Sequence, residues 1–215
     1  RLEQLSALDS GQASCCENIR SFSDSHGRQR WLKTKLTACA HTGNRKLCYL
    51  LTAEDISVYK RNEDELAFLK NHDELTRLHN RSYFELAKKQ LDLASYRPLS
   101  CIICEINGLE LINETMGYAS GDQLLLAAAG ILSGFCRKSD VLARTGGHQF
   151  SLLLPKTEKK EAISLLNQLS AAAQATAQSS PGAHCFLCLS LSYATKETET
   201  DSLDSIIQEA ENQLI

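Results

Sequence analysis

The second half of the chain alternates between strand-like and helix-like patterns of apolar residues. Predicted strands, which are short and mostly apolar, lie at Leu99–Ile106, Asp140–Arg144, Phe150–Leu154 and Cys185–Tyr193. Predicted helices, which have apolar residues at helical spacing, lie at Tyr83–Ala94, Gly121–Cys136, Lys159–Ala177 and Ser202–Ile215. Ser180-Pro181-Gly182 breaks the chain before the last strand. Helices that alternate with apolar strands predict an α/β sandwich around a central sheet.

The first part of the chain follows a different pattern. Two strand-like runs, Gln29–Ala40 and Lys46–Thr52, are joined by the turn-like sequence His41-Thr42-Gly43-Asn44. The charged segment Ala53–His72 follows, and its apolar residues are spaced as one side of a helix. Residues 1–26 are rich in Ser and predict no particular element.

Composition and charge narrow the class of protein. The chain has 215 residues, of which 43% are hydrophobic and 23% are charged, as in ordinary soluble domains. A net charge of −3 argues against electrostatic binding to long nucleic acids, although small phosphate ligands need only a few local cations. The longest apolar run, Leu124–Leu132, is too short to cross a bilayer. Because the chain begins with Arg1, we expect it to be part of a longer protein.

The nine cysteines include two pairs with the spacing of zinc ligands. Cys101 and Cys104 lie in one predicted strand, and Cys185 and Cys188 lie in another. Positions i and i+3 of a strand point to opposite faces, so neither pair can hold one metal ion. We therefore expect buried free thiols and, with no visible secretion signal, a reducing cytoplasmic location.

A Gly-Gly pair, Gly146-Gly147, lies between two strand-like runs and predicts a hairpin tip where backbone or ligand can approach closely. Three other short motifs precede it. The first is Asp73-Glu74-Leu75-Thr76-Arg77-Leu78-His79-Asn80-Arg81. The second runs from Cys104 to Glu114 (Cys-Glu-Ile-Asn-Gly-Leu-Glu-Leu-Ile-Asn-Glu), and the third is Met116-Gly117-Tyr118-Ala119-Ser120-Gly121-Asp122.

These four motifs, in this order over residues 72–215, resemble the GGDEF family of diguanylate cyclases. The resemblance implies a nucleotide-cyclase-like α/β sandwich with a central, mostly antiparallel sheet flanked by helices. Trp31 and the run Glu54–Lys60 likewise resemble the end of a PAS sensor domain and the helix that leaves it. We therefore expect a partial PAS-like β segment at 1–57, a linker helix at 58–72 and a GGDEF domain at 73–215.

The resemblance also implies roles for individual residues. Asn113 and Asp122 stand where active members hold guanine; the alternative is that Asn113 caps one helix and Asp122 starts the next. Glu105 stands at the metal-binding aspartate of the first strand. The remaining catalytic positions are changed, because His148 and Gln149 replace the acidic residues of the hairpin and Glu110 replaces a phosphate-binding lysine. Imidazole is a poor ligand for magnesium, so we expect little cyclase activity, and magnesium only if GTP is bound.

Arg137 and Asp140 form an Arg-x-x-Asp at the offset of the family's inhibitory site for cyclic di-GMP. A guanidinium can bind a guanine edge or a phosphate, and a carboxylate can pair with guanine N–H groups. The alternative is an ordinary surface ion pair. The family often adds an arginine from the next helix, but Lys159–Ala177 contains none. Lys156, Lys159 and Lys160 would replace it only in part.

Three functions are compatible with these residues. The first is a catalytically inactive regulatory domain of bacterial signalling that binds cyclic di-GMP or GTP. The second is a slow diguanylate cyclase, and the third is a protein-interaction module without nucleotide binding. A homodimer through the linker helix and a phosphodiesterase or other output domain are possible partners.

Overall fold

The computed structural model describes residues 15–40, 47–178, 187–198 and 202–214. They form two compact units, residues 1–67 and residues 68–215. The predicted turn at 41–44, the break at 180–182 and Cys185 lie outside the described residues.

The described part of the first unit contains a three-stranded antiparallel sheet. Its strands, in the order β1-β2-β3, are β1 (Cys15–Ser23), β2 (Gln29–Ala40) and β3 (Leu47–Asp55). β1 was not predicted, because most of its side chains are exposed and the usual apolar–polar alternation is absent. Cross-strand ion pairs help to hold β1 on β2, since the Glu17 carboxylate oxygens lie 3.0 Å from Lys33 Nζ and 3.7 Å from Lys35 Nζ.

The helix α1 (Ser57–Leu69) lies inside the predicted segment Ala53–His72; it begins one residue before the predicted linker helix at 58–72 and ends three residues before its predicted end. Residues 53–55 extend β3 because they continue its pairing with β2. The helix then begins at Ser57, whose backbone N–H donates to the Asp55 carboxylate at 2.9 Å. Ser57 is buried, and its hydroxyl oxygen accepts the Trp31 backbone N–H at 2.8 Å.

The second unit contains a five-stranded sheet with helices on both faces, as the resemblance implied. The strands are β4 (His79–Asn80), β5 (Leu99–Ile106), β6 (Val141–Arg144), β7 (Gln149–Pro155) and β8 (Leu189–Lys196). Their order is β4-β6-β7-β5-β8, in which only the β4–β6 pair is parallel. The last strand extends three residues beyond its predicted end at Tyr193, because Lys196 still pairs with Leu99 on β5.

The helices of this unit are α2 (Arg81–Leu91), α3 (Leu109–Met116), α4 (Tyr118–Phe135), α5 (Lys159–Gln178) and α6 (Leu203–Asn212). They cover the sheet in two layers: α2 and α6 pack on one face, and α3, α4 and α5 pack on the other. In the part of the chain that the structure describes, each helix is too short or too polar to span a membrane.

Strand β5 contributes alternate residues to two separate cores. Cys101 packs with Leu99 and Ile103 under α2 and α6, whereas Cys104 packs with Ile102 on the other face. The two thiols therefore point to opposite faces, as predicted for positions i and i+3 of a strand. Burial raises the pKa of each thiol to about 12.

We predict that Leu132→Ala lowers the free energy of unfolding by about 2–5 kcal/mol, because Leu132 is fully buried and its truncation leaves a cavity. Leu126→Ala on the same helix provides a matched control. Leu126 is 46% exposed, so its change is expected to stay within about 0.5 kcal/mol. Urea titrations followed by far-ultraviolet circular dichroism measure both, and equal losses would contradict the assignment of α4's buried face.

Candidate functional site

The hairpin between β6 and β7 is fastened to the end of β5 by a main-chain hydrogen bond. The backbone N–H of Ile106 donates to the carbonyl of His148 at 3.0 Å. Inside the hairpin, the N–H groups of Thr145 and Gly146 both donate to the carbonyl of Gln149, at 3.0 and 3.2 Å. The predicted tip at Gly146-Gly147 thus lies beside the last residues of the central strand.

This arrangement brings three of the predicted residues together. Glu105, Glu110 and His148 line one cavity of about 260 Å³, together with the backbone from Ile106 to Leu109. Glu105 is half-buried at the end of β5, whereas Glu110 and His148 are exposed. The ionisable side chains that line the cavity are thus two carboxylates and one imidazole, and its described lining residues include no lysine or arginine.

Gln149 does not join this cavity. It pairs with Glu105 across the sheet, but it lines a different space of about 360 Å³ between α2, α6 and the sheet. There its side-chain carbonyl accepts the Thr145 hydroxyl at 3.4 Å. The two replaced hairpin positions therefore face different surroundings.

The donors of the Glu105 cavity do not fit a resident magnesium ion. Magnesium prefers several oxygen ligands in octahedral geometry, and the imidazole of His148 supplies none. Among the described residues, no three His, Cys, Asp or Glu side chains are grouped so that they could share a metal ion.

The two predicted guanine-binding residues lie on neighbouring helices. Asn113 is half-buried inside α3, and Asp122 is exposed in the second turn of α4. The capping alternative is wrong: α3 follows Gly108, α4 follows Gly117, and neither start has a side-chain cap. Neither residue lines the cavity of Glu105.

A close approach explains one glycine of the third motif. A Cβ atom added at Gly121 would lie 2.0 Å from the side-chain Oδ1 of Asn113, far inside contact distance. The helix α4 therefore has room for the Asn113 amide only because residue 121 has no side chain. The contact between Gly121 and Asn113 therefore fixes the position of the Asn113 side-chain amide.

A further residue, which sequence reasoning missed, ties the hairpin to the start of the unit. Arg144 Nη1 donates to Asp73 at 3.2 and 3.3 Å, and Arg144 Nη2 donates to the Gly147 carbonyl at 2.7 Å. Burial alone would raise the pKa of Asp73, but hydrogen bonds from Thr76 and the Arg144 guanidinium together lower it. The sequence signal that could have indicated this contact is the position of Arg144 directly before Thr145-Gly146-Gly147.

Arg137 and Asp140 close the turn between α4 and β6. The Asp140 carboxylate accepts the backbone N–H of Arg137 at 2.7 Å, and the Asp140 N–H donates to the Arg137 carbonyl at 3.1 Å. The surface ion pair considered above is wrong, since no described contact joins the Arg137 guanidinium to a carboxylate within ion-pair distance. The Asp140 carboxylate is instead bound to the backbone N–H of Arg137.

A cavity of about 300 Å³ lies beside this turn. Arg137 and Asp140 line it together with Thr157 and residues of α5 that include Glu161 and Gln168. None of Lys156, Lys159 and Lys160 is among its lining residues, so they do not supply the second cation here. Glu161 instead adds a carboxylate on the helix where the family often has an arginine.

Comparison with known proteins gives a consistent result. The family model "Diguanylate cyclase, GGDEF domain" matches residues 70–215. Diguanylate cyclase DgcM of Escherichia coli K12 is 34% identical over 120 residues, which cover 54% of this chain and 29% of DgcM. The chain thus spans less than a third of this curated relative.

Solved structures match at the level of the fold. The coiled coil and GGDEF domain of DgcB from Caulobacter crescentus, in complex with c-di-GMP, matches with a TM-score of 0.62 at 18% identity. That match covers 74% of this chain and 86% of the DgcB chain. Diguanylate cyclase SiaD from Pseudomonas aeruginosa, in complex with its activator SiaC, matches with a TM-score of 0.60 at 23% identity, over 73% of this chain and 63% of SiaD.

We predict that Gly121→Ala displaces the Asn113 amide, whereas Gly130→Ala on the same helix does not. A Cβ at Gly130 meets no atom within 4 Å, so this control should gain up to about 1 kcal/mol of stability from helix propensity. Gly121→Ala should lose that gain and shift the Asn113 side-chain amide resonances. Nuclear magnetic resonance and thermal melting measure both effects, and identical behaviour of the two variants would contradict the close approach.

Proposed function

Because the chain belongs to the GGDEF family of diguanylate cyclases over residues 70–215, we propose that it is a regulatory, nucleotide-binding domain of cyclic di-GMP signalling with little cyclase activity. The observation that carries the proposal is the set of side chains that line the Glu105 cavity. Two carboxylates and an imidazole stand where active members place two acidic residues and a lysine.

Charge is the physical reason to expect lost catalysis. Phosphoryl transfer from GTP depends on cations that neutralise the phosphate oxygens. Glu110 adds a negative charge where a triphosphate would need a positive one, and His148 removes a hard oxygen ligand. Single charge-stabilising groups are worth on the order of 10²–10³ in rate, so the combined loss would be large.

Two features support nucleotide binding. The Asn113 amide sits in a space kept open by Gly121, close in sequence to the exposed carboxylate of Asp122. The second feature is the cavity at Arg137 and Asp140, because one guanidinium and one carboxylate match the phosphate and N–H groups of a guanine nucleotide. DgcB, which shares the fold, has been crystallised with c-di-GMP, which makes this ligand the first to test.

Glu161 sets the expected strength of binding. It brings a negative charge to a cavity that would receive a ligand with two phosphates. We therefore propose micromolar rather than tighter affinity for cyclic di-GMP. Replacing Glu161 by arginine should strengthen binding.

Signal input and assembly belong to the same proposal. We assign the first unit to a sensory, PAS-like role and place a homodimer contact on α1. Tyr59 and Leu66 are 66% and 70% exposed and lie seven residues apart, which puts them on one face of the helix. An output domain outside this chain, such as a phosphodiesterase, would receive the signal. A protein partner of the kind seen with SiaD, whose partner SiaC is its activator, would supply an input.

A slow diguanylate cyclase is the second candidate. Its support is the retained carboxylate of Glu105, which shares a cavity with the hairpin, together with Asn113 and Asp122.

We predict that calorimetric titration with cyclic di-GMP gives micromolar binding, which Arg137→Ala weakens at least about tenfold, since a hydrogen bond to a charged group contributes about 1.5–3 kcal/mol. Lys138→Ala is the matched control, because Lys138 neighbours Arg137 but does not line the cavity. The affinity of the Lys138→Ala variant for cyclic di-GMP should stay within about twofold of the wild-type value. The Glu161→Arg variant should bind cyclic di-GMP more tightly than the wild type. Equal losses for Arg137→Ala and Lys138→Ala would contradict the site, and no binding of cyclic di-GMP or GTP would favour an interaction module.

We predict that the protein forms no measurable linear or cyclic product from GTP with either magnesium or manganese. The double variant Glu110→Lys/His148→Glu should bind GTP with magnesium more tightly than the wild type, because it restores one cation and one oxygen ligand. Chromatography of the nucleotides and calorimetry measure the two effects. Wild-type product that disappears in Asp122→Ala would establish the slow cyclase instead.

A further inference from the structure

A stack of four rings lies at the beginning of the second unit. Phe68 and His72 stack with centroids 3.9 Å apart, and His79 and Tyr83 stack at 3.7 Å. The two imidazoles join these pairs, with centroids 4.7 Å apart. We call Phe68, His72, His79 and Tyr83 the ring stack. It connects the last residues of α1 to the first turn of α2.

Main-chain and side-chain hydrogen bonds fold the turn that brings these rings together. His72 and His79 form an antiparallel bridge, and the Asp73 N–H donates to the Leu78 carbonyl at 2.8 Å. The Asn80 amide donates to three carbonyls at the end of α1 and the start of the turn, those of Leu69, Lys70 and His72. Asn80 Oδ1 also accepts the Tyr83 N–H at 3.0 Å and caps α2.

The turn contains a strained residue. Arg77 has a φ of 59°, in the left-handed region that favours glycine, and its guanidinium lies 4.0 Å from the Phe68 ring centroid. A conformation of this kind persists only where the surrounding contacts enforce it. The ring stack is therefore part of what holds the turn in this shape.

His79 is poorly placed to accept a proton. Its Nδ1 atom is buried and has no hydrogen-bond partner among the described residues. A proton on this atom would create a buried cationic N–H without an acceptor, against a second imidazole. Burial first, and then the charge of His72, lower the pKa of His79, while a backbone hydrogen bond at Asn71 acts in the opposite direction.

The charged groups around the pair do not compensate for a proton there. The turn contributes Arg77, a cation, and Asp73, whose carboxylate accepts from Thr76 and from Arg144 on β6. The helix α2 contributes the neutral phenol of Tyr83. No described carboxylate lies within ion-pair distance of either imidazole.

We propose that the ring stack is a proton-operated latch, in which the neutral imidazole of His79, between the rings of His72 and Tyr83, keeps the turn closed and proton uptake by His79 opens it. The stabilisation is complete above the ordinary histidine value of about 6.5. It is lost progressively as the pH falls below that value, because the open turn then binds a proton that the closed turn resists. Asp73 of the same turn accepts a hydrogen bond from Arg144, and Arg144 donates a second one to the Gly147 carbonyl. Opening of the turn therefore also loosens the hairpin that carries His148.

The test is native-state hydrogen exchange of the backbone amides of residues 72–80, measured at pH 7.5 and pH 5.5 and corrected for the intrinsic exchange rate. The wild type should lose protection about tenfold at the lower pH, because one proton is taken up per opening. His79→Phe keeps a stacking ring but cannot titrate, so its protection should be the same at both values. His26→Gln, which removes an exposed histidine of the first unit, should behave as the wild type. Equal wild-type protection at both pH values, or the same loss in His79→Phe, would overturn the latch.

A second measurement needs no variant at the stack. In a titration of the histidine Cε1–H resonances, His79 should remain neutral well below the ordinary histidine value of about 6.5. Titration of His79 at or above that value would overturn the proposal even if His79→Phe fails to fold. Neither measurement involves a nucleotide, so the latch and the nucleotide site are tested separately.

Discussion

The central strand β5 is the constraint on which the second unit depends. It is hydrogen-bonded to β7 on one side and β8 on the other, and its side chains fill two cores at once. A strand buried in this way cannot shift its register by one residue without exchanging every side chain between the two cores. Its end is therefore fixed, and with it the positions of Glu105 and of the hairpin that is bonded to Ile106.

Much of this unit was predictable because its apolar pattern is strong. The bounds of β5 agree with the prediction to the residue, and α4 and α5 were found with ends shifted by a few residues. The pattern failed where burial is low: the exposed strand β1 has no clear alternation, and the predicted strand ended at Thr52 although residues 53–55 also pair with β2. Local propensity decides such segments only when no partner strand is available.

For the candidate site, the family resemblance grouped Glu105, Glu110, His148 and Gln149 as the changed catalytic positions. Three of them, Glu105, Glu110 and His148, line one cavity. Gln149 follows His148 directly, yet its side chain lines a different space, between α2, α6 and the sheet. The contact of Arg144 with Asp73, 71 residues apart, and the space that Gly121 leaves for Asn113 depend on packing that no local pattern encodes.

The hairpin is held by its backbone and by Arg144 rather than by the side chains that would perform chemistry. The bonds from Ile106 to His148 and from Thr145 and Gly146 to Gln149 all join main-chain atoms. Other side chains can therefore replace His148 and Gln149 without the loss of these main-chain hydrogen bonds. With this architecture, residues that take part in chemistry can change while the scaffold stays intact, so the activity of such a domain can change long before its fold does.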